Sequence, residues 1–307
     1  MRVLFTRHLL EYVAARVVLA LLALLPLPLA RRVARVGSRV VLRYLPRLCR
    51  IGLRNLELAF PELSLLERRR LLHQSFGNVG RILADFAHFP RTTPDDLAAR
   101  IETSLPEDTQ ARYRAAKAAG RGVIFVTAHL GNWEMLAMAL SAVFEPGPYL
   151  VRPFDNPFLN RYVARVRSRF GNRPIDKRDS VLEALAILDA GGNLGLLVDI
   201  NTLQRDGVFV PFFGHLACTT RSVAMLALRT NALIIPMCCV WGGNRYRIVV
   251  GELVEAIRAA SYVKKNIIDT TALYTVAIEK FIRAYPEQWL WIHRRWKTRP
   301  SGQPFLY

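Results

Sequence analysis

The chain has 307 residues, 52% of them apolar and only 22% charged, with a mean hydropathy of +0.17. That composition excludes global disorder and allows one large domain, or two small ones, with a sizeable core. The charge is lopsided, with 43 Lys and Arg against 24 Asp and Glu for a net +19. Such a chain needs an anionic partner lying beside apolar matter; nucleic acid meets the first condition, an anionic membrane surface both.

The first predicted element is an apolar run from Val17 to Ala30, broken by Pro26 and Pro28. As a helix it reaches only about 21 Å, short of the roughly 30 Å hydrocarbon core of a bilayer. Extension back to Leu9 carries Glu11 and Arg16 into the span. Leu27-Pro28-Leu29-Ala30 is a poor site for signal cleavage, so a retained helix that dips into or barely crosses the bilayer is expected. Beyond it Arg31, Arg32, Arg35, Arg39, Arg43, Arg47, Arg50 and Arg54 recur every three or four residues, and no acid appears until Glu57. On a helix these guanidinium groups share one broad face, with Val33, Val36, Val40, Leu45 and Leu48 on much of the rest. Attachment to an anionic membrane surface is the expectation, with the basic flank on the cytoplasmic side. Residues 1–58 thus read as a hydrophobic anchor with an Arg-rich amphipathic helix, and 59–307 as the main domain.

A helical region is predicted from about Pro61 to Ala118. Short β-rich runs then alternate with helices. Strands are expected at Gly122–Ala128, Tyr149–Val151, Leu194–Asp199, Leu233–Trp241 and Tyr246–Val250. Helices are expected at Asn132–Val143, Asn156–Phe170, Ser180–Asp189, Thr219–Thr230 and Ile267–Tyr285. This alternation indicates an α/β fold with a largely parallel central sheet flanked by helices, behind a membrane-associated helical N-terminus. The four cysteines, Cys49, Cys218, Cys238 and Cys239, form no CxxC pair and have no His at zinc-finger spacing, so they read as buried thiols in a reducing compartment.

Sites in α/β folds form at the carboxyl ends of strands. There the strand GVIFVTA leads into His129-Leu130-Gly131-Asn132-Trp133-Glu134. A histidine followed five residues on by a carboxylate has the composition of a general-base pair, provided that His129 lies in the turn and Glu134 in the first helical turn. The bare spacing is weak, and a satisfied histidine beside an N-terminal helix acid is its plain competitor. HExxH, GxSxG and Walker A patterns are absent, and Gly191–Gly195 precedes a strand, which makes it a turn.

The chain resembles the bacterial lipid A biosynthesis (late, or secondary) acyltransferases of the glycerolipid acyltransferase superfamily. The resemblance rests on Arg54-Asn55-Leu56 with Phe60-Pro61, on His129 to Glu134, on Arg152-Pro153 with Asn156-Pro157, on Asp199, on Gly207 to Gly214 (GVFVPFFG) with Thr219, and on Pro286 to Lys297 (PEQWLWIHRRWK). It implies a bacterial inner-membrane enzyme of the cytoplasmic face. Such an enzyme moves a fatty acyl chain from acyl-acyl carrier protein to a hydroxyl of a lipid A precursor, with His129 and Glu134 as the catalytic pair. No metal or other cofactor is implied, and no nucleic acid. His129 would deprotonate the acceptor hydroxyl for direct attack on the thioester, and the backbone N–H groups of Gly131 and Asn132 are candidate donors to the oxyanion.

Arg152 follows a strand, where its guanidinium suits a phosphate or the oxyanion, or is simply a surface arginine. Asp199 ends another strand, and the resemblance gives it acceptor positioning or support of the catalytic pair. The family often has Asp-Gln there, whereas this chain reads Asp199-Ile200-Asn201. That departure keeps open an acyl-CoA-dependent enzyme acting on a phosphatidylinositol mannoside or another membrane glycolipid. Val208–Phe213 reads equally as acyl-tunnel wall or core. Thr219 and Thr220 read as caps of the following helix, with or without a phosphate. The Trp-rich tail suits a membrane interface or packing under the site, with nucleic-acid stacking as the competing account.

Overall fold

The computed structural model describes residues 2–176, 180–259 and 263–307. The chain opens with three helices, α1 (Arg2–Leu24), α2 (Leu27–Arg43) and α3 (Pro46–Ala59). Prolines set both breaks. Pro26 separates α1 from α2, and the Pro46 ring keeps Leu45 out of the helical region, at φ −119° and ψ 61°. The single Arg-rich helix expected across 31–54 is therefore two. α1 carries Arg7, Glu11 and Arg16 within its length, and among the described residues no helix is long and apolar enough to cross a membrane. Of the two expected alternatives, dipping into or barely crossing the bilayer, the crossing finds no helix among the described residues to carry it.

These helices pack on α4 (Leu65–His88), which begins with a Ser64/Glu67 capping box. Arg31 on α2 bonds Asp85 of α4, and Arg39 donates to the His73 carbonyl at 3.2 Å. The two helices approach so closely at Gly80 that an added Cβ would lie 2.1 Å from the Ala34 carbonyl oxygen. Part of the arginine stripe consequently faces protein, while Val33, Val36, Val40 and Val41 face outward beside Arg32 and Arg43.

The remaining elements are α5 (Pro94–Arg100), β1 (Ile101–Glu102), α6 (Glu107–Ala118), β2 (Val123–Thr127), α7 (Trp133–Val143), β3 (Tyr149–Val151), α8 (Pro157–Arg167), β4 (Pro174–Asp176), α9 (Val181–Asp189), β5 (Asn193–Leu197), β6 (Gly207–Phe212), β7 (His215–Thr220), α10 (Ser222–Thr230), β8 (Leu233–Trp241), β9 (Tyr246–Val250) and α11 (Val263–Ala284). Seven strands form one sheet in the order β1-β9-β8-β2-β5-β3-β4, parallel except for β8 with β9. β6 and β7 form a separate antiparallel hairpin turning at Phe213-Gly214, both at positive φ. The sequence reading contained neither this hairpin nor the short strands β1 and β4.

Strand alternation divides the interior into two cores. Ile124 and Val126 of β2 face one, which holds α3, α9, α10, α11 and the C-terminal tryptophans. Val123 and Phe125 face the other, with α1, α2, α5, α6 and α7. Cys218, Cys238 and Cys239 are buried free thiols, and Cys49 is half-buried.

Gly80→Ala is expected to destabilise the fold by about 1–3 kcal/mol, because the obstructing atoms are backbone. Thermal unfolding reads this directly; an unchanged midpoint would mean that α2 does not lie against α4.

Candidate active site

β2 and β5 are parallel neighbours in register, Thr127 opposite Leu197, and the Val198 N–H bonds the Thr127 carbonyl at 3.0 Å. Residues two positions beyond each strand therefore emerge side by side, and they are His129 and Asp199. The chain then turns sharply at Gly131 (φ +63°), where a Cβ would lie 2.0 Å from the Cys239 carbonyl oxygen. Asn132 caps α7 by accepting the Met135 N–H at 2.9 Å. His129 thus lies in the turn and Glu134 in the first helical turn.

The carboxylate that reaches His129 is Asp199. Its Oδ1 lies 2.9 Å from His129 Nδ1, while its Oδ2 accepts the His129 backbone N–H at 2.9 Å and Trp289 Nε1–H at 2.8 Å. Burial alone would raise the Asp199 carboxyl, but the charge and hydrogen bond of His129, with His293 and the Trp289 donor, hold it well below the usual carboxylate range. Burial likewise disfavours the charged imidazole, and Asp199, aided by Glu134, outweighs it, so His129 titrates above its ordinary value. An ionised Asp199 only accepts, which fixes the His129 proton on Nδ1 and leaves Nε2 with its lone pair. No hydrogen-bond partner for Nε2 is found among the described residues, and the ring is partly open to solvent. Beneath the pair, His293 reaches the Asp199 carbonyl at 3.2 Å through Nε2 and the Leu290 carbonyl at 2.8 Å through Nδ1. Burial pushes His293 down to about 4, so it stays neutral and its single ring N–H donates to only one of these two carbonyls.

Glu134 hydrogen-bonds Arg167 of α8 rather than His129. Arg167 Nε donates to Glu134 Oε2 at 2.7 Å, and Nη2 donates to Oε1. The pair acts on His129 through charge alone. Both residues line a narrow, partly open cavity between the sheet and α7, whose walls are otherwise largely apolar, including Phe125, Leu136, Leu140 and Leu196. Val208–Phe213 does not line it: Val210, Phe212 and Phe213 are buried in the core behind.

Four further expectations change. The Gly131 N–H is taken by the Gln288 carbonyl at 3.1 Å and the Asn132 N–H by the Cys239 carbonyl at 2.7 Å, so neither is free for an oxyanion. The Asn132 side chain is wholly buried, bonded to Asp85 and Tyr246 as well as to its own helix. Arg152 is exposed and pairs with Asp155 at 3.3 Å; the arginine beside Glu134 is Arg167. Thr219 lies inside β7 and accepts from Arg295 at 2.6 Å, because the helix begins only at Ser222. The tail packs under the site: Trp289, Trp291 and Trp296 have no exposed surface. Sequence reasoning missed Arg167, which no spacing ties to Glu134, and it missed the direct role of Trp289 and His293, although both lie in the quoted tail.

The His129–Asp199 pair makes stability pH-dependent in a defined sense. Asp199, lowered in the fold, adds stability above about pH 3.9 that is lost as pH falls through its folded value; His129, raised in the fold, adds stability below about pH 6.5 that is lost as pH rises through its own. Asp199→Asn is expected to cost most between about pH 4 and 6.5 and less above. Denaturant titrations across pH check this, and a cost independent of pH would exclude an ionic pair.

A model of the family described as bacterial lipid A biosynthesis acyltransferase matches residues 2–298. The chain is 31% identical over 301 residues to the lipid A biosynthesis lauroyltransferase of Escherichia coli (strain K12), covering 94% of this chain and 92% of that relative. It is 28% identical over 283 residues to the palmitoleoyltransferase of the same organism, covering 89% and 86%. For the myristoyltransferase the figures are 24% over 260 residues, covering 83% and 76%. The match takes in the N-terminal helices, the His129 turn and the Trp-rich tail alike, and the chain therefore belongs to the bacterial lipid A biosynthesis acyltransferase family and is an acyltransferase.

Proposed function

We propose that this enzyme transfers a fatty acyl chain from acyl-acyl carrier protein to a hydroxyl of a lipid A precursor, at the cytoplasmic face of the bacterial inner membrane. The observation that carries the reading is a histidine with one nitrogen bound by a buried carboxylate and the other open, beside an apolar cavity. The acceptor hydroxyl gives its proton to His129 Nε2 as its oxygen attacks the thioester carbon. The C–S bond then breaks, and the imidazolium returns the proton to the leaving sulfur. Asp199 holds the ring and steadies its charge during the step, as in other carboxylate–histidine pairs. Glu134 serves through Arg167, fixing a guanidinium near the imidazole where negative charge gathers on the thioester oxygen.

The acyl chain occupies the cavity between the sheet and α7. The membrane takes the outer faces of α1 and α2, where Leu10, Val17, Leu21, Leu24 and Val36 are exposed. Arg32, Arg43, Arg47 and Arg50 supply attraction to anionic lipid and to an acidic carrier protein. The lipid A acceptor accords with the names of the relatives.

His129→Ala is expected to lower kcat at least about 10²-fold, the scale of a lost general base, while membrane binding persists. Assays with labelled acyl-acyl carrier protein and acyl-CoA supplied separately read the activity and the donor together; near-normal transfer by the variant would remove His129 from the mechanism. Because the base must be neutral and its pKa is raised, the acid limb of kcat/KM should lie above the ordinary histidine value and move down in Asp199→Asn. Leu140→Trp, which fills the cavity, is expected to shorten the transferred chain. Mass spectrometry of product lipids shows this, and an unchanged length would place the chain elsewhere.

A further inference from the structure

Asp85 has no exposed surface and sits on α4, outside the acyl cavity. Its Oδ1 accepts both Nε (3.0 Å) and Nη2 (2.6 Å) of Arg31 from α2. Its Oδ2 accepts the Tyr246 hydroxyl at 2.5 Å and Asn132 Nδ2 at 3.2 Å. Asn132 is thereby gripped at both ends of its amide, since Oδ1 is committed to the first turn of α7. Four and seven residues earlier on α4, the pattern continues. Arg81 bonds Asn78 at 2.8 Å, and Asn78 Nδ2 holds the Gly131 carbonyl, also at 2.8 Å. Asn78, Arg81 and Asp85 follow at three- and four-residue spacing on one face of α4. Arg31 and Arg81 both stack on Trp241, with guanidinium carbons 4.7 and 4.8 Å from the ring centre.

This is an expensive arrangement for stability alone. A buried ionic network gains little over well-packed apolar residues, and any broken member leaves an uncompensated group. What it controls is the turn between His129 and Glu134. We infer that Asp85 is a positioning residue of the acyl-transfer site, through which Arg31 on the N-terminal helix α2 fixes the orientation of the catalytic turn. The inference rests on His129 and the Glu134–Arg167 pair being the reacting site.

The hydrogen-bond polarity suggests a swap. Asp85→Asn or Asn132→Asp alone mismatches the contact, whereas the double exchange restores one amide and one carboxylate, keeps the net charge, and still leaves an acceptor for the Met135 N–H. With full-length enzyme, acyl-acyl carrier protein and a lipid A precursor, each single variant is expected to lose about 10²-fold in kcat, the scale of a small misplacement of reacting groups. KM and the acid limb of the pH profile should hold, because Asp199 still serves His129. The swap should recover most of the lost rate. Rates are taken per folded molecule, with thermal melting run in parallel. Where Asp85→Asn fails to fold, Tyr246→Phe, which deletes one hydroxyl, makes the same test with the same expected direction. A merely structural network would reduce the folded fraction and leave kcat per folded molecule at the wild-type value, which overturns the inference; so does a swap as slow as the single variants. His129→Ala in the same assay separates the two readings. An inactive His129→Ala with unimpaired network variants removes only this inference, whereas an active one removes the base assignment beneath it.

Discussion

A single buried carboxylate constrains the active side of this molecule. Asp199 sits where an unpaired charge would cost several kcal/mol, and it is tolerated because three donors converge on it. Those donors come from the turn after β2 and from the C-terminal tail, segments far apart in sequence. Satisfying Asp199 therefore requires that β2 and β5 end level, that the tail return beneath the sheet, and that the His129 ring stand with Nδ1 inward. The geometry of the His129–Asp199 pair follows from a desolvation penalty, which leaves the outward nitrogen of the ring for the proposed chemistry.

The tail is itself held by the N-terminal helices. Asn55 on α3 donates from Nδ2 to the carbonyls of Trp291 and His293, at 2.5 and 2.6 Å, and accepts the Tyr307 hydroxyl. Arg54 donates to the Leu306 carbonyl at 2.8 Å, and Ser75 of α4 donates to the Trp289 carbonyl. Arg295, wholly buried, donates to Cys218 and Ile200 carbonyls and to the Thr219 hydroxyl, and stacks on Phe212 at 4.7 Å. Burial pushes its pKa down to about 10, yet it stays charged at neutral pH. Two motifs separated by most of the chain thus form one support under Asp199.

The helices assigned to a membrane anchor are structural partners of the enzyme body as well. α2 lies on α4 through small residues and through Arg31 and Arg39, so the basic stripe divides between interior contacts and the outer surface. The same division turns the valines of α2 outward. An apolar face flanked by arginines suits the proposed seat at the level of lipid headgroups, and it is joined to the His129 turn by hydrogen bonds through Arg31 and Asp85.

Much of this was legible in the chain itself. Runs such as GVIFVTA and LIIPMCCVW are too uniformly apolar for anything but strands buried on both faces, and a parallel sheet with helices on each side follows from their alternation with helical periods. His129 at a strand end was visible, as was the placing of Glu134 in the first turn of the helix that follows. Local spacing and the family resemblance placed Glu134 beside His129 and left Asp199 in a supporting part. Register decided otherwise. The pairing of β2 with β5 presents Asp199 to the imidazole, and α8, packed beside α7, brings Arg167 to Glu134. The hairpin hid Thr219 inside a strand, since VFVPFF and HLACTT alternate too weakly to announce one. Propensity and periodicity are properties of neighbours along the chain, and so they settle elements. Which charge meets which donor depends on desolvation between segments some 33 to 90 residues apart, and only the packed structure sets that.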